Sequence, residues 1–174
     1  MAKKHEPSLN YMFERFNKNA QMQSYIRRQP QLFDQLIKDS LSVTIHNAWR
    51  CAMLIGHLTK RNDFRLIPFV NDFIDLLPRV NHDGHQRQIL IILDKMKLTE
   101  DQGGHLFNHC MTIWEAINKI PSTRIRAFWM LLKIAKNYPE LKEELLHFTT
   151  DYYTETLSPG IKISFQRAVD KELR

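Results

Sequence analysis

The stretch Ser122-Thr-Arg-Ile-Arg-Ala-Phe-Trp-Met-Leu-Leu-Lys-Ile-Ala-Lys136 has the pattern of a complete amphipathic helix, and it decides how the rest of the chain is interpreted. A serine stands where a helix N-cap is favoured, and apolar residues follow at helical spacing until Asn137-Tyr-Pro139 ends the pattern. A basic residue followed by an apolar run returns at three other places in the chain. We therefore expect the fold to consist of copies of this unit.

The copies align by a basic residue early in each helix, which is Arg50, Arg87, Arg126 or Lys162. The successive intervals are 37, 39 and 36 residues. In three copies a cap-like residue lies four positions earlier, at Asp83, Ser122 and Ser158. A near-constant period that contains a helix, a short turn and a second helix is typical of an α-solenoid, in which each unit buries its apolar face against its neighbours.

The intervening segments supply the other helix of each pair. Their start signals stand at Pro30, Pro68, the Thr99-Glu-Asp-Gln102 capping box and Pro139, while Thr44 is predicted to cap the helix that carries Arg50. The predicted pairs span about residues 30–59, 67–97, 100–137 and 139–174. We expect an all-α, right-handed superhelix of about four helical pairs over residues 19–174. Residues 1–18 are predicted to form an N-terminal arm with a short helix capped by Ser8.

The composition suits a folded chain of one domain. Of the 174 residues, 43% are apolar and 25% charged, and there are only five glycines. The start lacks a secretory signal, and the longest apolar runs are too short to cross a bilayer. Cys51 and Cys110 lie in predicted helices among apolar neighbours, where we expect buried, reduced thiols. These features favour a cytoplasmic protein that does not insert into a membrane.

The chain resembles the HEAT/armadillo repeat superfamily, through an apolar first helix, a polar turn and a second helix with an early Arg or Lys. Its segments Pro30-Gln-Leu-Phe-Asp-Gln-Leu, Ala48-Trp-Arg and Asn137-Tyr-Pro-Glu-Leu also resemble a group of small bacterial HEAT-like proteins. That group has no established catalytic residues. The resemblance therefore implies the fold and a scaffold-type role, and it assigns no chemistry.

Positively charged residues give the chain its candidate binding sites. Residues 1–87 contain 13 Lys and Arg against 8 Asp and Glu, so the N-terminal half carries most of the net charge of +6. The candidate binding residues are Arg50, Arg87, Arg124, Arg126, Trp129 and Lys162. The aligned cations are expected to bond to neighbouring units, as the resemblance implies, or else to form a track for phosphates. Trp49 and Trp129 beside arginines could stack on bases, although burial is the ordinary fate of such residues.

Other chemistry has weak support in the sequence. His105 and His109 are spaced i and i+4 on one helical face, with His82 and His85 nearby, which permits a metal site. Surface histidines are the favoured interpretation, because the sequence has neither a Glu in the HExxH position nor a Cys-x-x-Cys companion. No nucleophile elbow or phosphate-binding loop is present, and no cofactor is expected.

The favoured function from the sequence is therefore a non-enzymatic scaffold that binds a protein or peptide on the concave face of a short solenoid. The alternative is a nucleic-acid-binding protein that uses the basic N-terminal half. That alternative draws on a likeness to the members of the same superfamily that repair alkylated bases in DNA.

Overall fold

The computed structural model describes residues 6–173, and this part of the chain is built from α-helices joined by short turns, with no strand. The helices are α1 (Leu9–Arg15), α2 (Asn19–Arg28), α3 (Phe33–Ser40), α4 (Ala48–Leu58), α5 (Val70–Leu76), α6 (Asp83–Asp94), α7 (Glu100–Glu115), α8 (Pro121–Ala135), α9 (Pro139–His147), α10 (Asp151–Thr154) and α11 (Pro159–Glu172). Short 3₁₀ turns precede α3 and α5 and follow α5. The predicted all-α class is confirmed.

The helices pack as a stacked array. Helices α3 and α4, α5 and α6, and α7 and α8 form consecutive pairs, and the second helices α4, α6 and α8 also contact one another in series. Helix α11 contacts the last of these pairs through Phe165, whose ring lies 4.6 Å from that of Phe128 in α8, measured between centroids. One continuous apolar core runs through all the units. The array is thus the α-solenoid that the repeat period predicts.

Two lysines tie the carboxyl ends of neighbouring second helices together. The Lys95 ammonium, just after α6, donates to the carbonyl oxygens of Gly56 and Thr59 at the end of α4. One unit further on, the Lys133 ammonium of α8 donates to the carbonyl oxygen of Asp94 at the end of α6. The last carbonyls of a helix have no partner inside it. In this array the following unit supplies the partner.

Polar bonds also join the amino-terminal ends of α6 and α8. The Asp83 carboxylate accepts from the Ile120 backbone N–H at 2.8 Å and from the Lys119 ammonium at 2.9 Å. These contacts hold the pKa of Asp83 below its usual range despite partial burial. The sequence predicted that Asp83 caps its own helix, and this prediction is wrong. The cap is His82, whose Nδ1 accepts from the His85 N–H at 3.0 Å.

Other predicted helix starts also differ from the structure. Helix α4 begins at Ala48 and not at Thr44, because the Ser42 hydroxyl accepts from the N–H groups of Thr44 and Ile45 and holds them in a turn. Helix α8 begins at Pro121, so Ser122 lies inside its first turn and caps nothing. The Thr99–Gln102 capping box and the Ser8 cap of α1 are confirmed.

The last unit is less regular than predicted. The predicted pair over residues 139–174 contains three helices instead of two, since α9 ends at His147 and the short α10 begins at Asp151 before α11.

A pair of glycines inside a helix suggests a close backbone contact, and Gly103 and Gly104 lie in α7. A Cβ at Gly103 would meet Ile134 at an ordinary 3.9 Å, and one at Gly104 would meet nothing within 4 Å. The structure therefore has no close contact at this glycine pair.

The N-terminal segment contributes to the same core. In α1, Leu9 and Met12 are buried, and both belong to the apolar cluster that runs through the repeats. The Tyr25 hydroxyl of α2 accepts from the Ser8 N–H at 3.3 Å. Helix α1 therefore packs with the repeats through this core, while residues 1–5 lie outside the described part of the chain.

Candidate interaction surface

Three of the aligned cations lie on adjacent second helices. Arg50, Arg87 and Arg126 stand on α4, α6 and α8, and each side chain is half-buried. Lys162 is exposed on α11. Half-buried apolar residues share the outer faces of the three contacting helices: Trp49, Met53, Ile91 and Trp129. We call these four residues and the three arginines the second-helix face.

The three arginines differ in how far the protein already engages them. The Arg87 guanidinium donates to the Ser122 hydroxyl of the next unit at 3.0 Å. This contact joins two repeats, and its acceptor carries no charge. The Arg50 guanidinium contacts the Met22 sulfur at 3.4 Å and lies 4.6 Å above the centroid of the Phe13 ring. Arg126 makes no hydrogen bond or ion pair with any residue that the structure describes. Arg126 is therefore the most available of the three arginines.

Arg124 is one of the predicted binding residues, but the structure places its side chain in the core. Its side chain is 0% exposed and reaches into the last unit. Nε and Nη2 donate to the Trp114 carbonyl oxygen at 3.0 and 2.7 Å, and Nη2 also donates to the Tyr153 carbonyl oxygen at 2.8 Å. Nη1 donates to the Thr156 hydroxyl at 2.8 Å. A partner cannot reach this guanidinium in the folded chain.

The tryptophans occupy different environments. Trp129 is half-buried and touches Phe128 edge to face, with centroids 6.1 Å apart. Trp49 is half-buried and stacks on the His82 ring, at 6.0 Å between centroids and 20° between planes. Trp114 is fully buried. Trp49 and Trp129 therefore each keep part of their surface available to a partner.

The four histidines do not form one cluster, since His82 and His85 interact at the start of α6 and His105 and His109 interact on α7. His105 is exposed, His109 is half-buried, and His82 caps α6. Burial lowers the pKa of His109, which favours a neutral ring. Among residues 6–173, no group of three or more His, Cys, Asp or Glu side chains is arranged to hold a metal ion. Within the described residues, His105 and His109 thus lack the further ligands that the predicted metal site would require.

His85 makes the stability of the fold depend on pH. The ring is 3% exposed, and its Nε2–H donates to the Ser40 carbonyl oxygen at 2.8 Å. Burial lowers the pKa of His85 below the ordinary 6.5, and the charge of His82 lowers it further. The unfolded chain therefore takes up a proton first, so we expect stability to fall as the pH drops below 6.5. Urea unfolding at pH 7.5 and 5.5 measures this loss.

The matched variant for this pH effect is His85→Gln, which removes the titrating ring. We expect the difference in unfolding free energy between the two pH values to shrink in the variant. An unchanged difference would assign the effect to other groups.

Both cysteines have the burial that the sequence predicted. Cys51 and Cys110 are free and buried in α4 and α7. Burial raises the pKa of the Cys51 thiol to about 12 and raises that of Cys110 as well. Since the thiolate is the reactive form, neither thiol is activated as a nucleophile or ligand.

Charge separates the two rows of helices. The first helices of the units, α3, α5, α7 and α9, contain ten acidic and two basic residues. The second helices, α4, α6, α8 and α11, contain eight basic and four acidic residues. Helices α4 and α8 have no acidic residue at all, and both acids of α6 are paired with lysines. The second-helix face is therefore cationic relative to the opposite row.

Three surface cavities follow the turns that join the paired helices. The first, of about 470 Å³, lies between the start of α2 and α4. The middle cavity, of about 390 Å³, lies between the turns at residues 42–46 and 79–82. The third, of about 230 Å³, lies between the second of these turns and the end of α7. Trp49 lines both the first and the middle cavity, and Val80 lines both the middle and the third.

A family model described as a HEAT repeat domain matches residues 12–172, which is nearly the whole chain. No curated protein and no solved structure gives a significant match. In the described part of the chain, every helix is too short or too polar to pass through a bilayer.

Proposed function

Because the chain belongs to the HEAT repeat family, we propose that it is a non-enzymatic scaffold that binds a protein segment on the second-helix face. The observation that carries the proposal is the opposite charge of the two helix rows. One row is acidic and solvated, as expected of a face that meets water. The other combines arginines with half-buried Trp49, Met53, Ile91 and Trp129.

Mixed apolar and cationic surfaces of this kind suit a protein partner. Aromatic residues, methionine and arginine are enriched at protein interfaces relative to other surface. The central apolar side chains would lose water on binding, while Arg126 would meet an acidic group. Burial raises the pKa of the Cys51 and Cys110 thiols, so neither supplies an activated nucleophile.

A cross-linking experiment tests the proposal. A photoreactive benzoylphenylalanine at position 129, in α8, is expected to capture a protein partner in living cells. The same residue at position 143, on the exposed side of α9, serves as the control. Equal capture at both positions would contradict a specific second-helix face.

Reversing one charge gives the sharper readout. Arg126→Glu is expected to weaken binding of the captured partner at least about tenfold, a change of about 1.4 kcal/mol, because an acid would face the acidic group of the partner. The fold should persist, since Arg126 makes no hydrogen bond or ion pair with the described residues. Lys38→Glu on the opposite row makes the same charge change at an exposed site and should leave binding unchanged. Titration calorimetry with the purified partner measures both.

The second candidate is nucleic-acid binding, which the pairing of Arg126 with Trp129 on one face of α8 favours. A track for phosphates needs several free cations, and Arg50 and Arg87 are already engaged by neighbouring side chains. We therefore prefer the protein partner. Fluorescence anisotropy with a mixed-sequence duplex separates the two: salt-dependent binding that Arg126→Glu abolishes would favour nucleic acid.

A further inference from the structure

The three cavities along the turns are neighbours. The first and middle cavities share the lining residues His46 and Trp49, and the middle and third share Val80 and Asn81. We call this series of cavities, from Asn17 to Lys119, the turn groove. Its middle part is large enough for several side chains, since pockets for drug-sized ligands begin at about 300 Å³.

The lining of the turn groove is free of acidic side chains. None of the residues that line the three cavities is Asp or Glu. Its fixed cations are Arg50, Arg79 and Lys119. Lys119 is neutralised by Asp83, and Arg50 lies on Phe13 and Met22. Arg79 is exposed, and within the described residues it makes no hydrogen bond or ion pair. The middle cavity therefore presents an uncompensated positive charge.

The middle cavity also presents apolar surface to water. Val43 is 51% exposed and Ile45 41% exposed, and both line this cavity with the half-buried Trp49. Large aliphatic side chains with this exposure gain free energy when a partner covers them, at roughly 25 cal/mol per Å² of apolar area. An apolar side chain of a partner would bury Val43, Ile45 and Trp49 together. Arg79, on the facing turn, would then lie beside the partner backbone.

We propose that the turn groove binds an extended peptide segment in which a large apolar side chain is followed or preceded closely by carboxylates. The apolar side chain occupies the middle cavity against Val43, Ile45 and Trp49, and a carboxylate pairs with Arg79. This rests on the proposed scaffold function and names the chemistry of the partner. Nucleic acid fits the groove less well, because Arg50 and Arg79 are the only fixed cations without an acidic partner among its described lining residues, and phosphate tracking uses more.

The experiment starts from peptide selection against the full chain. A random twelve-residue peptide library displayed on phage is panned on the immobilised protein, and the enriched peptides are labelled with fluorescein. We expect the enriched sequences to combine a large apolar residue with neighbouring Asp or Glu. Enrichment of basic or uncharged peptides would overturn the proposal.

Paired variants then locate the binding site by fluorescence anisotropy. Arg79→Glu and Val43→Asp are each expected to weaken binding of the labelled peptides at least about tenfold. Their controls are Arg167→Glu and Ile163→Asp on α11, where Arg167 is exposed and Ile163 is 55% exposed. Each control makes the same change away from the groove and should leave binding unchanged. Thermal melting confirms that all four variants fold.

The outcomes distinguish a failure of the turn-groove proposal from a failure of the proposed binding at the second-helix face. Peptides that ignore Arg79→Glu and Val43→Asp but lose binding in Arg126→Glu would overturn the turn groove and retain the second-helix face. Failure of both sets of variants to affect any partner would overturn both proposals. A labelled DNA duplex that binds in a manner sensitive to Arg79→Glu, when no peptide does, would assign the groove to nucleic acid instead.

Discussion

Replacing Arg124 by methionine is expected to lower the free energy of unfolding by about 3 kcal/mol, although the two side chains are both long and flexible. The guanidinium is 0% exposed and donates to the carbonyl oxygens of Trp114 and Tyr153. Replacing a buried charge by an apolar group is neutral or stabilising only when its partners are replaced too. Here the main acceptors belong to the backbone, so methionine would leave them unpaired.

Urea unfolding followed by circular dichroism measures this loss. Arg124→Lys keeps the charge but cannot form the planar fork, so we expect an intermediate destabilisation of about 2 kcal/mol. Arg126→Met, two residues along the same helix, is the matched control and should change stability by less than about 0.5 kcal/mol. If Arg124→Met behaved like this control, the guanidinium would not hold the last unit in place.

The second large effect is expected at Trp114, where alanine should cost about 4 kcal/mol. Its indole is fully buried, with the Phe128 ring 4.7 Å and the Phe165 ring 5.4 Å away between centroids. The indole N–H donates to the Phe148 carbonyl oxygen at 2.9 Å, so alanine leaves both a large cavity and an unpaired acceptor. Trp129→Ala, at a half-buried site, should cost about 1–2 kcal/mol by comparison.

Trp114 and Arg124 should not act independently. The Arg124 guanidinium lies 4.7 Å above the Trp114 ring centroid and also bonds to the Trp114 carbonyl oxygen. Removing the indole takes away one side of the guanidinium's enclosure. The double variant is therefore expected to lose less stability than the sum of the two single variants, by at least about 0.5 kcal/mol. Strict additivity in the same urea measurements would contradict this coupling.

The repeat could be predicted because stacking imposes it on the sequence. Each unit must bury one face of two helices, so the apolar runs and the basic residue recur at nearly constant intervals. The register of Arg50, Arg87 and Arg126 places these residues on three contacting helices, as expected. The capping box at Thr99 was also predictable, since both of its partners lie within four residues of each other.

The roles of Asp83 and Ser122 could not be predicted from the local sequence. Both side chains bond to a neighbouring unit instead of capping their own helix. Asp83 holds the turn before α8, and the Ser122 hydroxyl receives Arg87 of α6. A short polar side chain near a helix start has the same local sequence pattern whether it caps its own helix or bonds to a neighbouring unit. Only the relative placement of two units decides which bond forms.

Two features of the sequence give opposite predictions for Arg124. Its positive charge beside Arg126 favours a binding residue. Yet Arg124, Phe128, Leu131 and Ala135 follow the i, i+4, i+7, i+11 spacing of one helical face, and all four are 0% exposed. Helical periodicity therefore places Arg124 in the core. Its acceptors lie 10 to 32 residues away along the chain, so the sequence does not identify them.

The links between successive second helices give the array a direction. Lys95 closes the end of α4, and Lys133 closes the end of α6, so each helix is completed by residues that follow it by more than 30 positions. A chain that ends before Lys95 leaves the carbonyls of Gly56 and Thr59 without this donor, whereas a chain that begins after α4 leaves only a lysine that water can solvate. During synthesis from the amino terminus, α4 and α6 therefore gain these bonds only after the next unit has emerged. Shortening the chain from its carboxyl end removes donors from helices that remain, whereas shortening it from the amino end removes acceptors.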